Sequence, residues 1–289
     1  MSWRGALLRT VNRSLIPFDL QIKREGADFD ARLLSAAHYE RMIERLGDVI
    51  GPFLQNELLF GPRFRIDCLT EIERFIDDYL SLDQRAQGGG NRFTNLLWLY
   101  LIARARQPST IIESGTFRGL SAWALHKGAP HAKLITFDIA PEERLINLPA
   151  VDYRSGDWME SEIDCDPAST IAFFDDHVDQ IKRVREAWSR DLNQLIFDDD
   201  ATVESFAGRT GHPGALPKIS FMFDPHLRHS EVIEWQSMGR RHFYRVDLDY
   251  LNETRLLVQS TQRLPDLSWQ LPTKAQLPLT LVQLESRHG

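Results

Sequence analysis

Five aspartates and a histidine carry the chemical interest of this sequence. In "TIAFFDDHVDQIKRVREAWSRDLNQLIFDDDA", residues 170–201, two short apolar runs each end in a carboxylate cluster. The first ends in Asp175 and Asp176 followed by His177, the second in Asp198, Asp199 and Asp200. Like charges this close raise each other's pKa and oppose folding unless something positive or wet lies between them. A hard divalent cation held by such oxygens can orient a substrate hydroxyl and lower its pKa. An imidazole within reach can take the proton. His177 is the first candidate for that base on position alone, with His226 and His229 in "FDPHLRHS" as alternatives. Acids at strand ends also cap the helices that follow. Asp175 or Asp176 ahead of "HVDQIKRV" suits that role and Asp200 suits a turn, so both readings stand.

A second constellation lies upstream. In "IIESGTFRGLS", Gly115 and Gly119 frame a tight strand-to-helix turn that lets a ligand approach the backbone. Asp138 ends the next apolar run, where an acid can accept both hydroxyls of a ribose. The dinucleotide fingerprint G-x-G-x-x-G is not met, because Glu113 stands where its first glycine would be. This disfavours a dinucleotide and leaves an adenosine-type ligand open. Arg118 inside the turn could meet a carboxylate or phosphate, and Trp158 could stack on a ring.

These residues need a scaffold. From about Asp28 to Leu82 apolar residues recur every three or four positions, which predicts helices; Thr70 and Glu73 have capping-box spacing. "RAQGGGNRF" is a glycine loop and "TNLLWLYLIARARQ" an apolar helix buried against a sheet. "STIIESG", "AKLITFDIA", "VDYRSGDW", "STIAFFDD" and "NQLIFDDD" then read as strands alternating with helical pieces. That rhythm predicts a parallel sheet covered on both faces, with ligands at the carboxyl ends of its strands. Gly115, Asp138, Asp157, Asp175 and Asp198 all fall at such ends. Farther on, "RHFYRVDLDY" and "TRLLVQS" read as an antiparallel pair at the sheet edge, and the Pro-bearing tail after Pro265 as an extended wrap.

On these motifs, "IIESGTFRGLSAWAL", "LITFDIAP", "YRSGDW", "AFFDDH" and "LIFDDD", the chain resembles the class I S-adenosylmethionine-dependent methyltransferases. Within them it is similar to the metal-dependent small-molecule and sugar O-methyltransferases. The resemblance covers roughly residues 88–201 and implies a Rossmann-like, doubly wound, mainly parallel α/β sheet. It also implies that Glu113, Gly115 and Thr116 hold the methionine end of S-adenosylmethionine, with Gly119 and Ser121 opening the helix beside it. Asp138 would take the ribose, Gly156 and Asp157 would lie near the adenine, and Asp175 would sit at the cofactor as well. Asp175, Asp198 and Asp199 would match the ligands of a Mg²⁺-type cation, with His177 and Asp175 in the catalytic roles. Relatives commonly have Gly-Gly before the fifth strand, where this chain has Asn193 and Gln194. Catechol-type members have a lysine shortly after the first metal acid, which is absent from Asp176-His177-Val178-Asp179.

Composition sets the outer limits. The chain has 289 residues, 43% of them hydrophobic, enough for one sizeable core. A net charge of -7 argues against a general nucleic-acid binder. Cys68 and Cys165 lack metal-ligand spacing and suit buried thiols in a reducing, cytoplasmic setting. No apolar run reaches the roughly 18 residues of a membrane span, and no signal peptide is evident. The first 24 residues are basic and amphipathic, which suits peripheral contact with an anionic inner membrane surface, packing on the body, or a homo-oligomer contact. The organisation read from this is a helical segment over 1–84, an α/β domain over 85–264 and a tail over 265–289. The expected function is metal-assisted O-methylation of a sugar, glycan or small natural product, as in polysaccharide biosynthesis. The alternatives are a hydroxylase- or hydrolase-like metal enzyme on the same fold, or a non-catalytic module in an assembly.

Overall fold

The structure is a computed structural model that describes residues 28–87, 90–207, 214–237, 239–273 and 276–287. The basic stretch 1–24 and Gly88 and Gly89 of the glycine loop lie outside these residues, and with them the membrane-surface and oligomer-contact expectations.

The helical lead-in holds α1 (Ala36–Pro52) and α2 (Cys68–Leu80). In α2 the buried Ile72, Phe75, Ile76 and Tyr79 fall at the spacing of one helical stripe. Asp67 caps this helix, accepting from Thr70 N at 3.4 Å, so Thr70 lies inside the first turn rather than at a capping box. α3 (Phe93–Arg106) is apolar on all sides and buried along almost its whole length, as such a helix must be.

The sheet follows: β1 (Thr110–Ser114), β2 (Lys133–Asp138), β3 (Val151–Ser155), β4 (Thr170–Phe174) and β5 (Gln194–Phe197). α4 (Leu120–Gly128) follows β1, and α5 (Gln180–Ser189) follows β4. The strand order is β3-β2-β1-β4-β5-β9-β8. The first five are parallel, β9 (Thr280–Leu284) runs antiparallel to β5, and β8 (Val258–Arg263) is antiparallel to β9.

The strands are apolar runs because both faces are covered. Ile111, Phe173 and Ile196 face a core shared with α1 to α4, while Ile112, Phe174 and Phe197 face a core shared with α5. The N-terminal helices therefore share one core with the sheet.

Two expectations change beyond Ala201. Residues Arg240–Arg245 form β7, which pairs with β6 (Val232–Ser237) in a separate hairpin. They do not pair with Val258–Arg263, which joins the main sheet. The tail also does more than wrap the surface. Its β9 inserts between β5 and β8, with Leu281 and Val282 fully buried, because β5 would otherwise leave an open edge beside the core.

Candidate active site

The carboxyl ends of β1, β2, β4 and β5 open onto one cavity of about 480 Å³, within the range of small-molecule sites. Gly115, Asp138, Gly156, Asp157, Asp175, His177, Asp198 and Asp199 all line it. Glu113, Thr116, Gly119 and Ser121 do not. The Thr116 hydroxyl donates to Phe137 O at 3.3 Å, and Gly119 and Ser121 start α4 behind the turn. His226 and His229 are exposed and stand away from the cavity.

Gly115 makes the turn possible. Its φ is +99°, and a Cβ there would lie 2.5 Å from the Asp175 carbonyl carbon and 2.7 Å from Asp176 N. Both neighbours are backbone just beyond the end of the adjacent strand β4 and cannot yield. Gly115→Ala should therefore unfold the chain at a temperature lower by ten degrees or more, on the order of the several kcal/mol that overpacking plus a strained φ implies. A thermal melt checks this.

At one end of the cavity, Asp138 is pre-positioned by backbone donors. Its Oδ1 accepts from Ala140 N at 2.7 Å, and its Oδ2 accepts from Phe117 N. Beneath it Glu113 is fully buried, and neither oxygen meets hydrogen-bond geometry with a partner among the described residues. Burial pushes its carboxyl up to about 8; the Ser121 hydroxyl works against this and the Asp138 charge adds to it. Below the ordinary value of 4.5 both folded and unfolded chains hold this proton. Between there and about 8 the unfolded chain loses it while the folded chain keeps it, so stability falls as pH rises. Glu113→Gln should match the parent near pH 4 and exceed it above pH 8 by about 5 kcal/mol as a ceiling. Denaturant melts of the ligand-free protein across that range give the comparison.

At the other end, ligand atoms of Asp175, His177 and Asp199 lie within 4.8 Å of one another. His177 Nδ1 stands 3.3 Å from Asp199 Oδ2. Donors on opposite sides of an octahedral ion lie about 4.2 Å apart, so only small shifts would close this set on a cation. Asp198 is turned aside: Asn95 Nδ2 donates to its Oδ1 at 2.9 Å and Gln276 Nε2 to its Oδ2 at 3.4 Å. Asn91 Nδ2 donates to Asp175 Oδ2 at 2.8 Å, and Gln276 also donates to Asn91 Oδ1 at 3.2 Å. Burial and the surrounding carboxylates hold Asp175 and Asp198 well above the usual carboxylate range. Phe117, His177 and Asp199, all cavity-lining, have φ of 45°, 54° and 57°. Strained non-glycine backbone of this kind persists where the surroundings over-determine it, commonly at functional sites.

The remaining acids have structural partners. Asp176 accepts from Ser114 Oγ at 2.6 Å and from Arg183 Nε at 2.8 Å. Asp200 accepts from Ser220 N at 2.9 Å and Thr280 Oγ1 at 2.8 Å. α5 is capped by Asp179, through Lys182 N at 2.9 Å, and not by Asp175 or Asp176. Trp158 is fully buried, edge-on to Phe174 and away from the cavity, so no ligand ring can stack on it. The Arg118 guanidinium lies over the Phe117 ring at 5.1 Å. Cys68 and Cys165 are free and half-buried.

Sequence reading missed Arg183, which is 2% exposed and grips the cavity wall. It pairs with both oxygens of Asp157 at 2.8 and 3.1 Å, with Asp176, and with Glu186 at 2.6 Å. The available signal was its place on the buried stripe of α5 with Gln180, Val184 and Ala187.

The sheet is mainly parallel with one reversed strand, a glycine turn follows β1 and an acid ends β2. The fold is of the class I methyltransferase type. No family model matches the chain, and no curated protein matches it. Among solved structures it is similar to the SAH-bound methyltransferase PaMTH1 of Podospora anserina, at 13% identity over 84% of this chain and 97% of that one, TM-score 0.41. It is similar to the O-methyltransferase TomG of Streptomyces achromogenes, in complex with SAM, at 15% identity over 84% and 98%, TM-score 0.39. It is also similar to an O-methyltransferase of Bacillus cereus in complex with SAH, at 13% identity over 84% and 100%, TM-score 0.39. No helix among the described residues is long and apolar enough to cross a membrane.

Proposed function

We propose that the protein transfers a methyl group from S-adenosylmethionine to a hydroxyl of a sugar, glycan or small natural product, assisted by a divalent cation of the Mg²⁺ or Mn²⁺ kind. One observation carries this reading: a single cavity runs from Asp138 and Gly156 at one end to Asp175, His177 and Asp199 at the other, across the Gly115 turn. A ligand with a ribose at one end and a reacting centre at the other fits that layout. The cofactor supplies an electrophilic methyl on a sulfonium, and the cation supplies Lewis acidity toward the acceptor oxygen.

The chain's own residues do the rest. Asp138 accepts the ribose hydroxyls, and the Gly115 turn admits the ligand against the backbone. The Glu113 carboxyl, buried beside Asp138 and the Ser121 hydroxyl, is assigned to the ammonium of the methionine moiety and would give up its proton to pair with it. Asp175 and Asp199 hold the cation, while Asp198, bound by two amides, adds charge behind them. His177 takes the acceptor's proton on the ring nitrogen that does not face Asp199, whose carboxylate orients the ring. A neutral imidazole has a single lone-pair nitrogen and cannot both ligate a cation and accept a proton, so the proton is assigned to His177 and the cation to the two aspartates.

The test is transfer of labelled methyl from S-adenosylmethionine to a panel of sugars, glycans and phenols, with Mn²⁺ or Mg²⁺ and with chelator. Transfer that the chelator suppresses supports the reading. Transfer indifferent to the chelator removes the cation from it, and no transfer with intact cofactor binding removes the acceptor class.

A further inference from the structure

Lys218 lies in the segment after Ala201. Its side chain is 1% exposed, and Nζ stands 5.5 Å from the Phe206 ring centroid. It walls a recess of about 10 Å³, room for one water at most, whose other walls include Gln180, Asp175, Asp198 and Asp199. The recess lies under the acidic end of the large cavity, and Lys218 itself does not line that cavity.

Backbone contacts fix the placement. Gln180 N donates to Pro217 O at 3.1 Å, Gln180 Nε2 donates to Asp198 O at 2.6 Å, and Ile219 N donates to Gln180 Oε1 at 3.1 Å. Lysine is almost never fully buried unless paired with opposite charge. Burial is the larger influence and lowers its pKa from the ordinary lysine value, while Asp199, Asp200, Asp198 and Asp175 act to keep it charged. A lysine that cannot reach substrate is no general base, since proton abstraction needs hydrogen-bond reach. What it can supply from this position is charge.

We propose that Lys218 is the built-in counter-cation of the Asp175–Asp198–Asp199 cluster and sets how tightly the cavity takes up a divalent cation. The proposal rests on the cation part of the function proposed above. A divalent ion entering the cluster meets a positive charge already in place, and repulsion across a few ångströms of protein is large. Lys218→Met should therefore bind the ion more tightly, by about tenfold or more. Lys218→Arg, which keeps the charge, should stay near the parent. A role in packing alone would lower stability and leave ion affinity unchanged.

The experiment is calorimetric titration of Mn²⁺ alone into the parent, Lys218→Met and Lys218→Arg, with thermal melts at zero and saturating ion. Tighter binding by Lys218→Met, with a larger ion-induced rise in melting temperature than the parent shows, supports the proposal. Binding by Lys218→Met where the parent binds nothing also supports it, and removes the cation from the parent's function. Equal or weaker binding by the variant overturns it while leaving the cation reading intact. A variant unfolded even at saturating ion overturns it too, because charge would not be the lysine's contribution. Two flat isotherms overturn both.

Discussion

Asp138→Ala should lose S-adenosylmethionine binding by at least about a hundredfold. A carboxylate bonded to two ribose hydroxyls makes charge-assisted bonds worth about 1.5–3 kcal/mol each, and both disappear together. The carboxylate also receives the amides of Phe117 and Ala140, so its removal loosens the turn that the cofactor must meet. Asp138→Asn keeps one acceptor oxygen and should retain part of the affinity. The melting temperature should fall far less than the affinity, because Asp138 is half-exposed and outside both cores. Titration calorimetry beside a thermal melt separates the two effects.

Arg183→Met should lower stability by about 3–5 kcal/mol, against a total of about 5–15 kcal/mol for a folded domain. The guanidinium is buried among Asp157, Asp176 and Glu186, and its loss leaves three carboxylates facing one another. Burial alone would raise Asp157, but the Arg183 guanidinium and the Met159 amide outweigh it and hold that carboxyl below its ordinary value. The sign of the pH dependence follows. A carboxylate with a lowered folded pKa contributes stability above its unfolded pKa and loses it as pH falls through the folded one. The deficit of Arg183→Met should therefore be full at neutral pH and shrink below about pH 4, as the orphaned acids take up protons. Denaturant melts at pH 7 and pH 3.5 show it.

Much of this arrangement is legible in the residues themselves. Runs such as Thr110–Ser114 and Thr170–Phe174 are apolar without alternation because helices cover both faces, and that pattern needs no tertiary information. The acids that end them fall at the cavity for the same topological reason. The reach of each side chain is another matter. Asn91, Asn95 and Gln276 come from positions far apart in sequence to hold Asp175 and Asp198, and no local pattern marks an amide for that task. His177 faces Asp199 because both adopt positive φ, which alternation along an extended chain does not anticipate. β9 is hidden behind Pro272 and Pro278, which suggest an extended tail, although Thr280–Leu284 has the short apolar character of a strand. Lys218 and Arg183 are cations whose burial follows only once the carboxylates around them are assembled.

The most direct measurement is calorimetric titration of the full chain with S-adenosylmethionine, with and without Mn²⁺. Micromolar binding with one cofactor per chain is expected in either condition. A flat isotherm in both, from protein shown to be folded by its thermal melt, would contradict it, and the cavity over Gly115 would need a different ligand.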